Sequence, residues 1–398
     1  MKKIILIVVC LCLFANGAIA LTWQQSLDLS ADNSNEIKSA QNQLESFKWN
    51  YYKSYSTFLP QLSANAGTGT NSASYGLSVS QNIFQGMSEY YNVESANANY
   101  QYYLSNLINT QANFFYDSRL AFLNLYVAQQ NTIVQKTIFA YRSENARMIK
   151  LFYDSGKEDK GNYLRAQAQI NEAKNNVSIA MRDEYLARFR LSQILETDVT
   201  TVEGKNEVIV PENIYYDSLI KNSPTYIMAK YTLDIAEIAD KASVSEFLPD
   251  ISLNGSYQRS GNSWPPTTSD KSISLNLSYS FFPGGSNIAD FKINKYNFEK
   301  AKQDFAKTKR DLLYSLKNAY TSLRDAIDSF NTQRVYLSAS QERAKISQAK
   351  YLNGLMSYNE WDIAQNDYIN YQKSMISYGK LALQAEASWY KSYGGWIK

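Results

Sequence analysis

The sequence predicts a mainly α-helical protein with a small membrane β-barrel, built from two tandem helix–strand–strand–helix repeats. Three observations predict this fold class. Two long tracts lack proline, one between Pro60 and Pro211 and one from Pro283 to the last residue. Two shorter regions alternate apolar and polar residues with a period of two, and the chain repeats an ordered set of motifs. Helices, strands and duplication each leave a different period in a sequence, so the three signals are independent.

The composition excludes most enzyme classes. The 398 residues include 40 Lys+Arg, 37 Asp+Glu and two Cys but no His. Histidine is the commonest general base and the commonest metal ligand, so its absence argues against a catalytic triad or a zinc site. We therefore expect no enzyme, no metal and no cofactor. The near-balance of charge also argues against a nucleic-acid partner.

The N-terminus predicts export. Lys2 and Lys3 precede an apolar run, and Ala18-Ile19-Ala20 forms a small-x-small cleavage site, so residues 1–20 are predicted to be a signal peptide. Both cysteines, Cys10 and Cys12, lie within it. Beyond Ala20 no apolar stretch approaches the roughly 20 residues of a membrane-spanning helix. We expect any membrane crossing to use strands.

Heptad spacing predicts very long antiparallel helices in both proline-free tracts. The recurring apolar residues are Ile108, Phe115 and Phe122 in the first tract, and Leu312, Ala319 and Ala326 with Leu316, Leu323 and Phe330 in the second. Seventy residues separate Gly86 from Gly156 and Gly284 from Gly354. At 1.5 Å per residue, each helix would be a rod of roughly 105 Å. Shorter helices are expected to cover the rods end to end, 158–196 with 217–246 and 25–57 with 358–396.

Period-two alternation predicts four strands in two hairpins. The predicted strands are residues 61–67, 74–84, 251–259 and 271–282. In the last of these Ile273, Leu275 and Leu277 lie on one side, and serine or asparagine fills the other. This pattern also fits a soluble sandwich or barrel edge. Four strands are nevertheless too few to close a barrel, and lipid does not tolerate open edges, so several chains must pool their hairpins; three chains would supply twelve strands.

The duplication gives the order of the elements. Phe58-Leu59-Pro60 returns as Phe247-Leu248-Pro249, and Tyr153-Asp154-Ser155-Gly156 returns as Tyr351-Leu352-Asn353-Gly354. We predict one repeat over 21–210 and a second over 211–398. The strand–helix transitions fall at residues with matching backbone preferences. Proline favours an extended conformation in the residue before it, and glycine allows the change from strand to helix. These four residues are Pro60, Gly86, Pro249 and Gly284.

The repeated Phe-Leu-Pro-x-(Leu/Ile)-Ser, the Phe-x-Gly-x-Ser strand exit and the Tyr-x-x-Gly tip resemble the TolC family of outer-membrane efflux proteins. The resemblance implies a homotrimer with a twelve-stranded β-barrel in the outer membrane and an α-helical barrel extending into the periplasm. It implies a passive exit duct for a tripartite efflux pump or a type I secretion system. The partners would be outer-membrane lipid, a periplasmic adaptor (membrane fusion) protein and an inner-membrane pump or ATPase.

The same resemblance suggests functional residues at the helical tips. Gly354-Leu355-Met356-Ser357 is similar to the family's Gly-Leu-x-Ser tip, whereas the first copy departs from it with Gly156-Lys157-Glu158. The adaptor-docking candidates are Tyr153, Gly156, Tyr351, Gly354, Leu355 and Ser357. The candidates for an aperture that selects ions are Glu360, Asp362 and, at the position matching Glu360 in the first copy, Asn162.

A second hypothesis assigns the chain to another class, a secreted soluble coiled-coil protein with a structural or interaction role. Its hairpins would pack against its own helices, it would extract without detergent, and it would conduct no ions.

Overall fold

A computed structural model describes residues 20–204, 208 and 210–397. The predicted signal peptide therefore lies outside the described residues, apart from Ala20. Within the described ranges the chain is mainly helical with one small antiparallel sheet, as predicted. The helices are α1 (Trp23–Asn33), α2 (Asn35–Ser54), α3 (Ser88–Asp154), α4 (Lys160–Leu195), α5 (Tyr216–Asn222), α6 (Pro224–Ala242), α7 (Ser286–Leu352) and α8 (Tyr358–Ser392).

The rods α3 and α7 contain 67 residues each, which corresponds to about 100 Å. Their predicted seams are confirmed, since Phe122, Leu316 and Leu323 are almost fully buried, although Ile108 is 40% exposed. Of the helices in the described ranges, none combines the length and the apolar character that a membrane crossing requires.

The shorter helices cover the rods in a different pairing from the predicted one. Asn35 Nδ2, at the start of α2, donates a hydrogen bond of 2.6 Å to Glu196 Oε1, just beyond the end of α4. Gly394, just beyond α8, lies so close to Pro224 that an added Cβ would come within 2.2 Å of the proline ring. Helix α2 thus continues α4, and α6 continues α8. The prediction that residues 217–246 continue 158–196, and that 358–396 continue 25–57, was wrong.

The linker after α4 explains this exchange. The segment between Leu195 and Tyr216 is long enough to carry the chain to the other rod before α5 and α6 begin. Helix α6 then contacts both α3 and α7, as α8 does, whereas α2 and α4 pack on α3. The two ends of the described chain meet at this level, where Trp23 Nε1 donates a 2.8 Å hydrogen bond to the Ile397 carbonyl. Near the middle of the rods, short helices that follow one another in sequence therefore do not continue one another in space.

The four strands form one sheet in the order β1-β2-β3-β4, with antiparallel pairing throughout. They are β1 (Gln61–Gly69), β2 (Ser72–Gln85), β3 (Asp250–Gly261) and β4 (Thr268–Ser278). Strand β4 ends four residues before the predicted 282. Its last pair is Asp250 with Ser278, and Pro249, which has no N–H to donate, precedes Asp250 and ends the ladder. Strands β1 and β4 are exposed at every residue and form the two edges.

Candidate functional site

One face of the sheet is lined by small uncharged polar side chains. Ser63 Oγ and Ser78 Oγ are 2.6 Å apart on β1 and β2, and Ser256 Oγ and Ser272 Oγ are 2.7 Å apart on β3 and β4. Because Ser78 pairs with Ser256 in the register, the four serines form a single row across the sheet. Hydroxyl groups both donate and accept hydrogen bonds, so this row of serines is well hydrated and uncharged, although Asp250 and Asp270 lie on the same face.

The opposite face of the sheet is apolar and solvent-accessible. Leu62 is 81% exposed and Ile273 is 86% exposed. Within the part of the chain that the structure describes, no helix covers this face. Away from the irregularity between Asn82 and Phe84, the side chains alternate between it and the serine face. A large unpartnered apolar face on one side and a polar face on the other is the arrangement of a spanning strand, with lipid on one side and water on the other.

The strand–helix transitions lie where the sequence predicted them. Pro60 and Pro249 each follow a short 3₁₀ turn, Tyr55–Phe58 or Ser243–Phe247, and immediately precede a strand. Gly86 and Gly284 have φ values of +59° and +72°, a region that favours glycine. Their surroundings differ. A Cβ on Gly86 would lie 2.5 Å from the Ser245 carbonyl oxygen, whereas a Cβ on Gly284 would meet nothing within 4 Å.

The two tip turns lie at the opposite ends of α3 and α7 from the sheet. Gly156 and Gly354 both have positive φ, at +75° and +71°, and neither has a neighbour within 4 Å of a built Cβ. Beside them Leu355 is 76% exposed. Tyr153 stacks on Tyr163 with ring centroids 5.2 Å apart. The tip therefore presents an apolar side chain on a backbone turn that only glycine adopts without strain.

Tyr351, at the end of α7, contacts both the turn before α4 and the start of α8. Its Oη donates a 2.7 Å hydrogen bond to Glu158 Oε1, and its ring stacks on Trp361 with centroids 4.7 Å apart. Burial, followed by the hydrogen bond to the Glu158 carboxylate, raises the pKa of Tyr351. Burial, followed by the nearby Asp362 carboxylate, raises the pKa of Tyr358 to about 12. Both phenols are neutral at ordinary pH and fix the start of α8 against α3 and α4.

Asp362 lies at the centre of a buried polar cluster. Its side chain has no exposed area, and its Oδ2 is 2.8 Å from Arg165 Nη2 of α4. Its Oδ1 accepts a 3.0 Å hydrogen bond from Gln169 Nε2 and lies 3.5 Å from Arg142 Nη1 of α3. Arg142 also donates to Asn366 Oδ1. The structure thus places Asp362 between helices with its charge compensated, which argues against its predicted role as an aperture carboxylate.

Glu360 and Asn162, the other two aperture candidates, lie on exposed first turns. The Glu360 N–H donates to Ser357 Oγ at 3.3 Å, and the Ser357 N–H donates to Glu360 Oε2 at 3.1 Å, which forms a capping box. The Ser357 hydroxyl also donates to Glu360 Oε2 at 2.8 Å, and this bond, followed by the one from the Ser357 N–H, holds the pKa of Glu360 below its usual value. In the first copy Asp159 caps α4, and Asn162 Nδ2 donates to Glu158 Oε2 at 2.8 Å.

Sequence reasoning missed Arg142 and Arg165. The signal for Arg142 was present, because it falls on the same helical stripe as Ile138 and Ile149, both buried. A charged residue on a buried stripe requires a partner of opposite charge. The sequence distance of Asp362 from the tip glycine does not reveal that partner, because Arg142 lies on another helix.

Comparison with known proteins shows which family the chain is similar to. Residues 215–395 match the family described as outer membrane efflux protein. The match covers a little under half of the chain. The resemblance predicted from the sequence motifs is confirmed, and with it the location in the outer membrane with an extension into the periplasm.

One curated relative is similar over part of its length. It is the outer membrane efflux protein BepC of Brucella suis biovar 1 (strain 1330), 22% identical over 232 residues, which are 57% of this chain. The match spans about half of that relative, 51% of its length.

Solved structures share the fold over nearly the whole chain. A structure of CusC gives a TM-score of 0.86 at 15% identity, with 94% of this chain and 92% of the other covered. The open state of the MtrE outer membrane channel of Neisseria gonorrhoeae gives 0.84 at 17% identity, with coverages of 94% and 89%. The CmeC outer membrane channel of Campylobacter jejuni gives 0.82 at 15% identity, with coverages of 94% and 85%. The first half of the chain, which the family match does not include, therefore shares the fold of these channels.

Proposed function

We propose that this efflux-family chain forms a homotrimeric channel that serves as the passive exit duct of a tripartite efflux pump or a type I secretion system. Three copies would join their four-stranded sheets into a twelve-stranded barrel in the outer membrane, and their helices into a periplasmic tube. The two repeats, 21–210 and 211–398, would each supply one hairpin and one rod. The channel catalyses no reaction, and energy comes from the inner-membrane pump or ATPase.

The observation that carries this proposal is the one-sided sheet with two open edges. Among the described residues, the backbone N–H and C=O groups on the outer sides of β1 and β4 have no partner strand. In a bilayer each unpaired group would cost several kcal/mol, so the edges must pair. Pairing β1 of one copy with β4 of the next places the apolar face against lipid. The serine row then lines a water-filled lumen.

The tips are the proposed contact with the periplasmic adaptor. Leu355 is exposed and follows a glycine turn, and Ser357 caps the helix behind it. An exposed leucine at a rigid turn supplies apolar contact area at low entropic cost. The other tip candidates would maintain the conformation of this surface; they are Tyr153, Gly156, Tyr351 and Gly354. The charged first-copy turn at Lys157 would make a different contact.

The proposed aperture residue is Glu360. It lies near the tip with its carboxylate accessible, and in a trimer three such carboxylates would surround the common axis. A narrow duct focuses their field and favours cations. Asn162 carries no charge at the matching position, so the first repeat would contribute only polar groups.

The test is planar-bilayer conductance of detergent-extracted protein. Wild type is compared with Glu360→Gln and with a control variant, Glu172→Gln. Glu172 is an exposed acidic residue of α4 that lies farther from the tip than Glu360. We expect stable channels whose cation preference falls only in Glu360→Gln. Conductance unchanged by Glu360→Gln would retain the channel and remove the aperture role. A chain that extracts without detergent as a silent monomer would overturn the proposal and favour the soluble coiled-coil protein.

A second test distinguishes the role of the tip in adaptor contact from the conductance of the channel. Leu355→Glu should leave bilayer conductance unchanged and abolish export in cells, because a buried carboxylate at an apolar contact is costly. The control is Leu352→Glu, at a residue that is 51% exposed at the end of α7. Export that persists in Leu355→Glu would remove Leu355 from the adaptor contact.

A further inference from the structure

We propose that the outer end of the apolar sheet face binds the phosphorylated headgroup of a lipid through Arg259 and Lys271, with an acyl chain in the groove beside Gly255. The inference rests on the proposed function, since it requires this face to lie in a bilayer. The ligand class is a lipid that carries phosphate groups in the leaflet remote from the helices.

The register places both cations on the lipid-facing side. Along β3, residues 251, 253, 255, 257 and 259 alternate onto one face, and Leu277, Leu275 and Ile273 of β4 stand opposite the first three. Lys271 stands opposite Tyr257. From residue 251 to residue 259 the strand is roughly 26 Å long, and at the usual tilt of about 40° it spans roughly 20 Å along the membrane normal, most of the apolar band of outer-membrane barrels. Arg259 and Lys271 therefore lie toward the outer end of this band, on the side away from the helices.

Neither cation has an acidic partner among the described residues. Lys271 Nζ lies 5.7 Å from the centre of the Tyr257 ring, a cation–π contact. The guanidinium of Arg259 contacts Tyr75, and its Nε is buried without a hydrogen-bond partner. Asp270 adjoins Lys271 in sequence but points to the serine face by strand alternation. A lipid-facing pair of cations without carboxylates needs an anion from outside the chain.

A groove leads from Lys271 across the apolar face. Its volume is about 650 Å³. It exists because Gly255 has no side chain between Val79 and Ile273; a Cβ there would lie 2.9 Å from Val79 Cγ1. The apolar residues that line it are Leu62, Leu77, Val79, Tyr257 and Ile273. A groove with hydrocarbon walls and an ammonium group at one end matches an acyl chain attached to an anionic headgroup.

The aromatic residues around the cations indicate an interface position. Trp264 in the β3–β4 connection is 62% exposed, and its ring centre lies 5.7 Å from that of Tyr75. Tryptophan and tyrosine collect at the headgroup level of membranes. A guanidinium offers a planar pair of donors that matches phosphate oxygens, and the lysine adds a point charge. This combination favours a phosphate over a neutral sugar or a choline headgroup.

The test is native mass spectrometry of the detergent-extracted protein titrated with bisphosphorylated lipid A, with its dephosphorylated form, and with inorganic phosphate. The variants are Arg259→Gln with Lys271→Gln, the charge-conserving Arg259→Lys, and Lys309→Gln on an exposed part of α7 as control. Near a surface each cation strengthens the binding of an anionic lipid. We expect the double variant to bind the phosphorylated lipid at least about tenfold more weakly, with Arg259→Lys between it and wild type.

Binding of the dephosphorylated form should be weak and equal in all variants, and free phosphate should not compete. Equal retention of the phosphorylated lipid by wild type and the double variant would overturn the inference. Competition by free phosphate would overturn the lipid as ligand. Conductance of the same preparations distinguishes failure of the lipid site from failure of the proposed channel. A protein that conducts ions but retains no phosphorylated lipid overturns only the lipid site. A protein that needs no detergent overturns the proposed channel itself.

Discussion

Arg165 of α4 and Asp362 of α8 are joined by a salt bridge of 2.8 Å, with the carboxylate fully buried. The contact ties the start of α4 to the start of α8 close to the tip. Arg142, only 8% exposed, shares the same carboxylate. Breaking such a cluster from the acidic side leaves a buried guanidinium uncompensated.

We expect Asp362→Asn to lower the free energy of unfolding by about 3 kcal/mol, because it leaves Arg142 buried without an anion. Thermal unfolding of the extracted protein by circular dichroism measures this change. The matched control is Asp367→Asn, which breaks a 2.9 Å pair with Arg343 on the surface. Exposed pairs contribute at most about 1 kcal/mol, so equal losses in the two variants would contradict the assigned importance of the cluster.

The tip should lose stability in alkali. The pKa of Tyr358 is raised to about 12 in the folded chain, above the value of about 10 for an unfolded tyrosine. Since the folded state favours the neutral phenol, its contribution is complete below pH 10 and is lost between about pH 10 and 12. Melting temperatures recorded from pH 8 to 12 should fall in this window.

Replacing Tyr358 by Phe tests the cause of that fall. The variant keeps the buried ring and removes the ionisable group, so its melting temperature should decline less steeply above pH 10 than that of wild type. Tyr336→Phe, at an exposed tyrosine of α7, serves as the control. Superimposable pH profiles for wild type and Tyr358→Phe would assign the alkaline loss to other groups.

Glu360 should remain ionised at lower pH than an ordinary glutamate. Hydrogen bonds from Ser357 depress its pKa, so its contribution to stability is present above the unfolded value and is lost as the pH falls through the lower folded value. Ser357→Ala should move the loss of cation preference to higher pH and should weaken the start of α8 by about 1 kcal/mol. Reversal potentials measured across a salt gradient at several pH values give the midpoint, and an unmoved midpoint would disconnect Ser357 from Glu360.

The two transition glycines should tolerate substitution unequally. Both have positive φ, so alanine at either position costs roughly 1–2 kcal/mol in backbone strain. Only Gly86→Ala also forces a Cβ to within 2.5 Å of the Ser245 carbonyl, and we expect it to lose at least about 2 kcal/mol more than Gly284→Ala. Denaturation of the two variants under identical detergent conditions measures the loss in the free energy of unfolding of each. Equal losses would mean that the turn at Ser245 moves away without cost.

The elements were predictable because each has a strong local cause. Heptad seams such as Leu316 with Leu323 fix a helix period over many turns, and alternation fixes which strand face is apolar. The end of β4 at Ser278 was not predictable from its own residues, which continue to alternate to Phe281. It depends on Pro249, which precedes the partner strand β3, because a ladder ends where either partner ends.

The pairing of the shorter helices was missed for a similar reason. Nothing in the helices themselves distinguishes α2 from α6 as the continuation of α4; the choice depends on the path of the linker and on end contacts such as Asn35 with Glu196. The cluster around Asp362 joins residues more than 190 positions apart, so a reading based on local spacing could not assemble it. Contacts between repeats require knowledge of their packing, which sequence periodicity does not contain.

The equal lengths of α3 and α7, 67 residues each, have an evolutionary consequence. Both rods start from one sheet and end in turns that contact each other through Tyr351 and Glu158. A seven-residue insertion in one rod alone would preserve its heptad seam but displace its turn by about 10 Å. Insertions and deletions in these two distant stretches of the gene must therefore occur as matched pairs, and the distance from the sheet to the tip turns can change only in steps taken by both rods.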